Sequence, residues 1–258
     1  MERIKAILDT KAALYNCKDF IVNDPISFPH FFSKEEDIEI SALLASVIAW
    51  GNRKMILRSG NKMFYDIMLG APYEYVMSGE WKALADDINI HRTFFARDFK
   101  YICRGLEQVY REHSSIEELF AGHDVWDGIE NLRNRLALAN EGVSTKHISN
   151  PVAKKGKPAS ACKRIHMMLR WLCRNDGVVD LGLWNRISPS QLMIPLDVHV
   201  ARTARKLGLL TRKQNDRRTV EELTAVLRKF SPEDPVKYDF ALFGIGEAGD
   251  DAIDDLIK

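Results

Sequence analysis

Cysteine pairs with the spacing used by metal sites are missing from this 258-residue sequence. No two of its four cysteines form the C-x-x-C motif of zinc ribbons and of many iron–sulfur sites. We therefore expect no metal site and no iron–sulfur cluster, and we expect reduced thiols, as in intracellular proteins. The cysteines are Cys17, Cys103, Cys162 and Cys173.

Long hydrophobic runs are also missing. No stretch approaches the roughly 18 uncharged apolar residues that a transmembrane helix needs. The first residues carry charges and lack the apolar core of a secretory signal peptide. The sequence therefore predicts a cytoplasmic protein with no membrane partner, and we expect it to be a monomer.

Net charge is nearly absent as well, because Lys and Arg exceed Asp and Glu by only one. The basic residues are unevenly distributed, since the segment from Lys154 to Arg174 holds seven Lys or Arg and no Asp or Glu. Such a segment predicts a positive surface that attracts phosphate, and a solvated helix face is the alternative interpretation. The acidic residues of 247–255 are predicted to form a solvated helix end.

Strand-like alternation is rare, whereas helical periodicity covers most of the chain. The sequence therefore predicts an all-α fold in a single domain of residues 1–258. Ser33 and Ser160 are predicted N-caps, because each precedes a segment with helical periodicity. The expected helices cover residues 1–18, 34–48, 53–69, 93–111, 115–121, 125–139, 161–172, 197–207, 219–230 and 238–243.

Two residues in the second half of the chain have the chemistry of a catalytic pair. Lys163 lies near the start of one predicted helix, and 34 residues later Asp197 opens another, just after Pro195. An unprotonated amine can attack the anomeric carbon of a nucleotide, and a nearby carboxylate can stabilise the positive charge that develops on the sugar. The alternatives are a surface lysine and a plain helix N-cap.

This segment resembles the helix-hairpin-helix DNA glycosylases of base-excision repair. The sequence Pro-Leu-Asp-Val-His-Val of residues 195–200 fits the family element P-V/L-D-x-H-V/T, whose aspartate is catalytic, and Lys163 matches the nucleophilic lysine of the bifunctional 8-oxoguanine members. The wide spacing between Lys163 and Asp197 is closer to that of the divergent archaeal 8-oxoguanine glycosylases. The whole chain also resembles a bacterial family defined only by a conserved domain of unknown function, through residues 48–53, 91–94 and 238–244.

The resemblance to the glycosylases implies a specific architecture and activity. It implies two helical lobes flanking a cleft, one of about residues 1–30 with 150–258 and the other of residues 31–149. It implies a DNA repair glycosylase with AP (β-)lyase activity, acting through a lysine Schiff base on double-stranded DNA with a damaged base such as 8-oxoguanine. A DNA-binding protein of this kind would associate with the bacterial nucleoid.

The hairpin before the lysine departs from the family pattern. The family sequence L-P-G-V/I-G is replaced here by Lys-Gly-Lys-Pro-Ala-Ser at residues 155–160, although nearby lysines can compensate electrostatically. The family hairpin holds a DNA phosphate, often beside a monovalent cation, so such a cation is the one ion that the resemblance implies. The predicted DNA-binding residues are Lys154, Lys155, Lys157, Arg164, His199 and Arg202.

A second group of residues is a candidate pocket for an extruded base. Such a base needs an aromatic surface to stack on and polar groups that read its edge. The candidates are Trp50, Asn52, His91, Arg92 and Phe94. The alternative interpretation is that Trp50 ends a core helix and that His91 and Arg92 form an interior hydrogen-bonded link.

Two other functions are compatible with the sequence. The protein is a non-catalytic nucleic-acid-binding module in the first, with Lys163 contacting only phosphate. In the second it is a helical protein-interaction domain that has lost both roles. Both tolerate the loss of Asp197, whereas the enzyme does not, and a shared fold alone does not establish a function.

Overall fold

The computed structural model describes residues 1–249, which are mostly helical and confirm the all-α prediction. This part of the chain contains eleven α-helices and one two-stranded antiparallel sheet. Within it, no helix is both long and apolar enough to cross a bilayer. The helices are α1 (Glu2–Tyr15), α2 (Lys18–Val22), α3 (Glu35–Ile48), α4 (Arg53–Asn61), α5 (Pro72–Ser78), α6 (Ala96–Glu112), α7 (Val125–Leu138), α8 (Lys163–Cys173), α9 (Val198–Lys206), α10 (Arg217–Phe230) and α11 (Tyr238–Ala248). The predicted acidic end of residues 247–255 lies mostly outside the described residues.

The two strands were not expected from the sequence. Strands β1 (Asn89–His91) and β2 (Phe94–Phe95) pair across a tight turn with an irregular register. Strands this short have no room for an alternating pattern, so residues 93–95 were wrongly assigned to the start of the helix predicted at 93–111. Helix α6 begins only at Ala96, where the Asp98 carboxylate accepts a hydrogen bond from the Phe95 N–H at 2.9 Å.

The predicted helix starts were correct at Asp197 and wrong at both serines. Asp197 caps α9 by accepting a hydrogen bond from the Val200 N–H at 2.9 Å. Helix α3 begins at Glu35 without a side-chain cap, so Ser33 caps nothing. Helix α8 begins at Lys163 rather than at residue 161, because Cys162 adopts a left-handed conformation with φ of 44°.

Helix α3 forms the centre of the core. Ten of its residues, Glu39 to Ile48, are buried, as the apolar character of its second half predicted. It packs against α8, while α11 packs against both α1 and α9. Gly246 allows α11 to pack closely against α9, since a Cβ there would lie 2.7 Å from Thr203 Oγ1. These contacts bring the first turns of α8, α9 and α11 to one region.

Helix α8 contains a buried histidine whose ionisation opposes folding. Burial, together with the charge of Arg217, lowers the pKa of His166 to about 3. Neither ring nitrogen has a hydrogen-bond partner among residues 1–249, and the ring meets Trp126 edge-to-face at 4.5 Å. Between pH 6.5 and 3 the unfolded chain therefore binds a proton at this residue that the native protein does not bind. The free energy of unfolding consequently decreases as the pH is lowered.

We predict that His166→Phe removes this acid sensitivity. Urea unfolding at pH 7 and pH 5 should show that the parent loses about 2 kcal/mol more stability than the variant over this interval. Other titrating groups are the same in both proteins, so they cancel in the comparison. An equal loss in the two proteins would show that the native protein protonates His166 as readily as the unfolded chain does.

Candidate active site

A cavity of about 760 Å³ lies where α8, α9 and α11 converge. The first turns of these helices contribute Lys163, Asp197 and Asp239, respectively. The loop between α3 and α4 contributes Trp50 and Asn52. This is a concave, mixed apolar and charged site of the kind that binds small groups.

Lys163 and Asp197 face each other in this cavity. The Lys163 Nζ lies 3.9 Å from Asp197 Oδ2, so the two groups are close enough to approach one reacting centre. The other carboxylate oxygen, Oδ1, caps α9. The side chains are 29% and 19% exposed, so both remain accessible from the cavity. The carboxylate can therefore interact with a charge in the cavity while its second oxygen holds the helix.

One face of α8 lines the cavity below the lysine. Lys163, Met167, Arg170 and Trp171 follow the spacing of a single helix face, and all four line the cavity. Arg164 also reaches the cavity, but it donates a hydrogen bond to the Val47 carbonyl at the end of α3. Burial lowers the pKa of Arg164 from its usual value.

Two further carboxylates line the cavity, and the sequence alone did not identify them. Asp239 of α11 is buried and accepts a hydrogen bond from Arg170 Nη1. The pKa of Asp239 is raised to about 6, because burial and the charge of Asp197 outweigh the opposing charges of Arg170 and Lys163. Asp24 is half-buried, and burial also raises its pKa, against the charges of Arg170, Lys163 and Arg53.

Arg170 of α8 and Arg174, directly after this helix, link the cavity to a buried ionic network. Arg170 pairs with Asp180 at 3.2 Å, and Arg174 pairs with Asp180 at 2.9 Å and with Asp234 at 2.7 Å. Arg170 and Arg174 are buried, so they add nothing to an exposed positive surface. The prediction that the whole segment from Lys154 to Arg174 forms such a surface is therefore wrong at its carboxyl end.

The predicted base-pocket residues are divided by the structure. Trp50 and Asn52 line the cavity, and Asn52 also caps α4 through the Met55 N–H at 3.3 Å. His91 and Arg92 do not line it but contact Trp50. Phe94 is buried in the core and meets His147 edge-to-face at 4.9 Å.

The predicted DNA-binding residues are similarly divided. Lys154, Lys155 and Lys157 are exposed on a tight turn outside the cavity, in which residues 154 and 157 exchange backbone hydrogen bonds of 3.1 and 2.8 Å. His199 lines the cavity, and its Nδ1 donates to the Gly246 carbonyl at 3.3 Å. Arg202 donates to the same carbonyl. A monovalent cation at the turn stays a prediction.

The missed residues left only indirect signals in the sequence. Asp239 and Phe243, which also line the cavity, belong to the segment 238–244 that carries the likeness to the uncharacterised family. Arg170 is two helical turns after Lys163, so it shares a helix face with the lysine. Asp24 precedes Pro25 in a turn and had no signal. Within residues 1–249 no three His, Cys, Asp or Glu side chains are grouped as metal ligands would be.

Comparison with known proteins identifies a family but no activity. No curated protein and no solved structure matches the chain. One family model, described as Protein of unknown function (DUF2400), matches residues 24–248. The matched region contains every residue of the candidate site named above, from Asp24 to Phe243. Because the match covers most of its length, the chain belongs to the DUF2400 family of proteins of unknown function.

Proposed function

We propose that this protein is a DNA glycosylase of the helix-hairpin-helix type with AP-lyase activity. The observation that carries the proposal is the Lys163 amine facing the Asp197 carboxylate at 3.9 Å inside a cavity. Two helical lobes flanking that cavity, as in those glycosylases, are part of the proposal. The substrate is double-stranded DNA in which a damaged base is extruded into the cavity.

The base would be released by nucleophilic attack. The unprotonated amine of Lys163 forms a bond to the anomeric carbon of the sugar, while the bond from that carbon to the base breaks. The base leaves with the bonding electrons and takes up a proton. Asp197 stabilises the positive charge on the sugar during this step, because its Oδ2 faces the reacting nitrogen.

Strand cleavage would follow from the covalent intermediate. The sugar ring opens, and the nitrogen of Lys163 becomes part of an imine. The imine makes the hydrogens on the adjacent sugar carbon acidic, and loss of one of them expels the 3′ phosphate. Water then hydrolyses the imine and restores the lysine. This chemistry uses side chains alone and requires no metal or organic cofactor.

The cavity walls support a damaged purine as the leaving group. Trp50 and Phe243 provide aromatic surface, as a nucleobase pocket requires. Asp24 and Asp239 provide carboxylates that can accept hydrogen bonds from ring N–H groups when they are ionised. An oxidised guanine such as 8-oxoguanine carries such groups at N1 and at N7.

The exposed turn of residues 154–157 would contact the DNA backbone. We predict that replacing Lys154, Lys155 and Lys157 together with glutamine weakens duplex binding at low salt. The plot of log K against log salt concentration should become shallower by about 2 to 3, because each lysine–phosphate contact contributes roughly 0.9 to the slope. Fluorescence anisotropy at several salt concentrations measures both quantities.

A matched variant controls for the loss of three charges. Lys18, Lys34 and Lys229 are exposed, and none of them lines the cavity. Their replacement by glutamine should leave the slope close to that of the parent. The same slope in both triple variants would show that the turn does not bind DNA.

A panel of duplexes tests the activity itself. Each duplex carries one damaged base, including 8-oxoguanine, and is incubated with an excess of protein. We expect at least one lesion to give free base together with a cleaved strand, which denaturing gels and chromatography detect. If every duplex stayed intact while binding persisted, the protein would be a non-catalytic DNA-binding module, and the proposed activity would be excluded.

A further inference from the structure

Trp50 occupies a loop whose backbone is unusual. The residue after it, Gly51, has φ of 100°, a conformation that side chains other than glycine rarely adopt. Asn52 then caps α4. The loop thus places a large aromatic residue in the cavity wall between two helix ends. The Trp50 Nε1 is buried and has no hydrogen-bond partner among the described residues, so no hydrogen bond orients the indole ring.

Arg92 supplies one of the contacts that hold the ring. Its guanidinium lies over the Trp50 indole, 4.6 Å from the ring centroid. It also fills the space beside Gly51, where a Cβ would lie 2.3 Å from Arg92 Nη1. Arg92 has φ of 51° at the turn between β1 and β2, and this conformation directs the chain of the hairpin back toward β2.

His91 supplies the second contact. Its Nε2 lies 2.9 Å from the Trp50 carbonyl oxygen, which can only accept, so Nε2 carries the proton. Its Nδ1 then accepts from the Ser59 hydroxyl at 3.0 Å. The His91 and Trp50 rings meet edge-to-face, with centroids 5.3 Å apart. Burial lowers the pKa of His91, and the charge of Arg92 lowers it further, so the neutral form that these bonds need prevails near pH 7.

The hairpin is itself anchored to the rest of the fold. Asn89 Nδ2 donates to the Arg92 carbonyl at 2.6 Å, which closes the turn. Lys62 Nζ donates to the Asn89 carbonyl at 2.7 Å and ties the hairpin to the end of α4. The contacts of His91 and Arg92 therefore come from a segment fixed at both its turn and its first strand.

We propose that the β1–β2 hairpin sets the orientation of Trp50 in the cavity wall, with Arg92 and His91 as positioning residues. The contacts that hold Trp50 do not depend on the proposed function. Their effect on substrate does rest on it, because there Trp50 contacts the extruded base. A loosened indole weakens the binding of the base more than it slows the chemistry, because Lys163 and Asp197 lie on other elements.

The test uses protein labelled with 5-fluorotryptophan. The five tryptophans give five ¹⁹F resonances, and Trp50→Phe identifies that of Trp50. Arg92→Asn removes the guanidinium, and asparagine tolerates the left-handed conformation. We expect the Trp50 resonance to shift or broaden in this variant while the other four stay in place. On the substrate that the parent processes, KM should rise about fivefold with little change in kcat.

Arg97→Asn is the matched control. Arg97 is also an exposed arginine, in the first turn of α6 directly after the hairpin, and its guanidinium lies over the Phe95 ring at 4.4 Å, away from the cavity lining. It should leave the Trp50 resonance and KM unchanged. If all five resonances moved in Arg92→Asn, that variant would not separate a change at Trp50 from a change in the whole fold. Arg92→Lys would then be measured in its place, since it keeps the charge and loses the planar group.

The outcomes for positioning and for catalysis are separate. A Trp50 resonance that is the same in the parent, Arg92→Asn and Arg92→Lys would overturn the positioning role. A shifted resonance in a protein that processes no damaged duplex would support the positioning role and contradict the glycosylase. A shifted resonance with unchanged KM would show that the hairpin holds Trp50 but that Trp50 does not bind the base, which would overturn the proposed effect on substrate.

Discussion

Lys163→Gln is expected to abolish the covalent complex that borohydride traps between this protein and damaged DNA. Borohydride reduces an imine to a stable amine, so the trapped complex reports the lysine intermediate directly. Glutamine keeps most of the volume of lysine but has no nucleophilic amine. Because α8 begins at this residue without a side-chain cap, the substitution removes no helix-capping bond. We expect a loss of at least about a thousandfold in trapped complex, measured on denaturing gels.

A neighbouring lysine provides the control for this result. Lys157 is exposed on the basic turn and does not line the cavity, so Lys157→Gln should still give the trapped complex. Anisotropy should show that Lys163→Gln binds the duplex only modestly less tightly than the parent. Trapping that survives in Lys163→Gln would assign the nucleophile to another amine.

Asp197→Asn is expected to fold and bind DNA normally but to release base at least about a hundredfold more slowly. Asparagine caps a helix about as well as aspartate, so the bond from the Val200 N–H to Oδ1 is retained. The negative charge that faces the Lys163 amine at 3.9 Å is lost. A preorganised charge of this kind contributes roughly 3–4 kcal/mol to the stabilisation of a transition state. Single-turnover base release measures the loss.

Another capping aspartate separates catalysis from helix capping. Asp124 caps α7 by accepting a hydrogen bond from the Trp126 N–H at 2.8 Å, and it does not line the cavity. Asp124→Asn should release base at the parental rate and melt within a few degrees of the parent. Equal rates in Asp197→Asn and the parent would make Asp197 a structural cap only.

The helices could be predicted from the sequence to the extent that they depend on local signals. The prediction at residues 125–139 was correct within one residue of α7, because an aspartate cap and a regular apolar face agree there. The start of α8 was placed two residues early, since the left-handed conformation of Cys162 has no signature in a non-glycine residue. At this point the tertiary fold, and not the local sequence pattern, determines where the helix begins.

The Lys163–Asp197 pair could be predicted because a compact motif at residues 195–200 marks the aspartate. The resemblance to the glycosylases then pointed to the lysine, and the structure brings the two together. Asp24 and Asp239 could not be predicted, because they are separated by most of the chain and only the packing of α11 brings Asp239 to the cavity. A buried carboxylate that pairs with an arginine 69 residues away leaves no local pattern.

The surface charge of the basic segment, residues 154–174, could also be predicted only in part from the sequence. A run of Lys and Arg without acids predicts a positive surface, yet Arg170 and Arg174 are buried beside distant aspartates. Packing explains the difference, because Arg170 lies in the buried part of α8, from Ile165 to Cys173, and Arg174 is the residue directly after that helix. The most exposed charges lie in the part of the segment that precedes the helix, on the turn of residues 154–157.

The most direct test of the proposed chemistry is to locate the covalent link in the parent protein. The borohydride-trapped complex is digested with nuclease and protease, and mass spectrometry identifies the amino acid that carries the sugar remnant. We predict a single modified residue, Lys163, in the peptide that joins the turn of residues 154–157 to α8. A remnant on any other amine, or release of base with no modified residue, would contradict the assignment of Lys163 as the nucleophile.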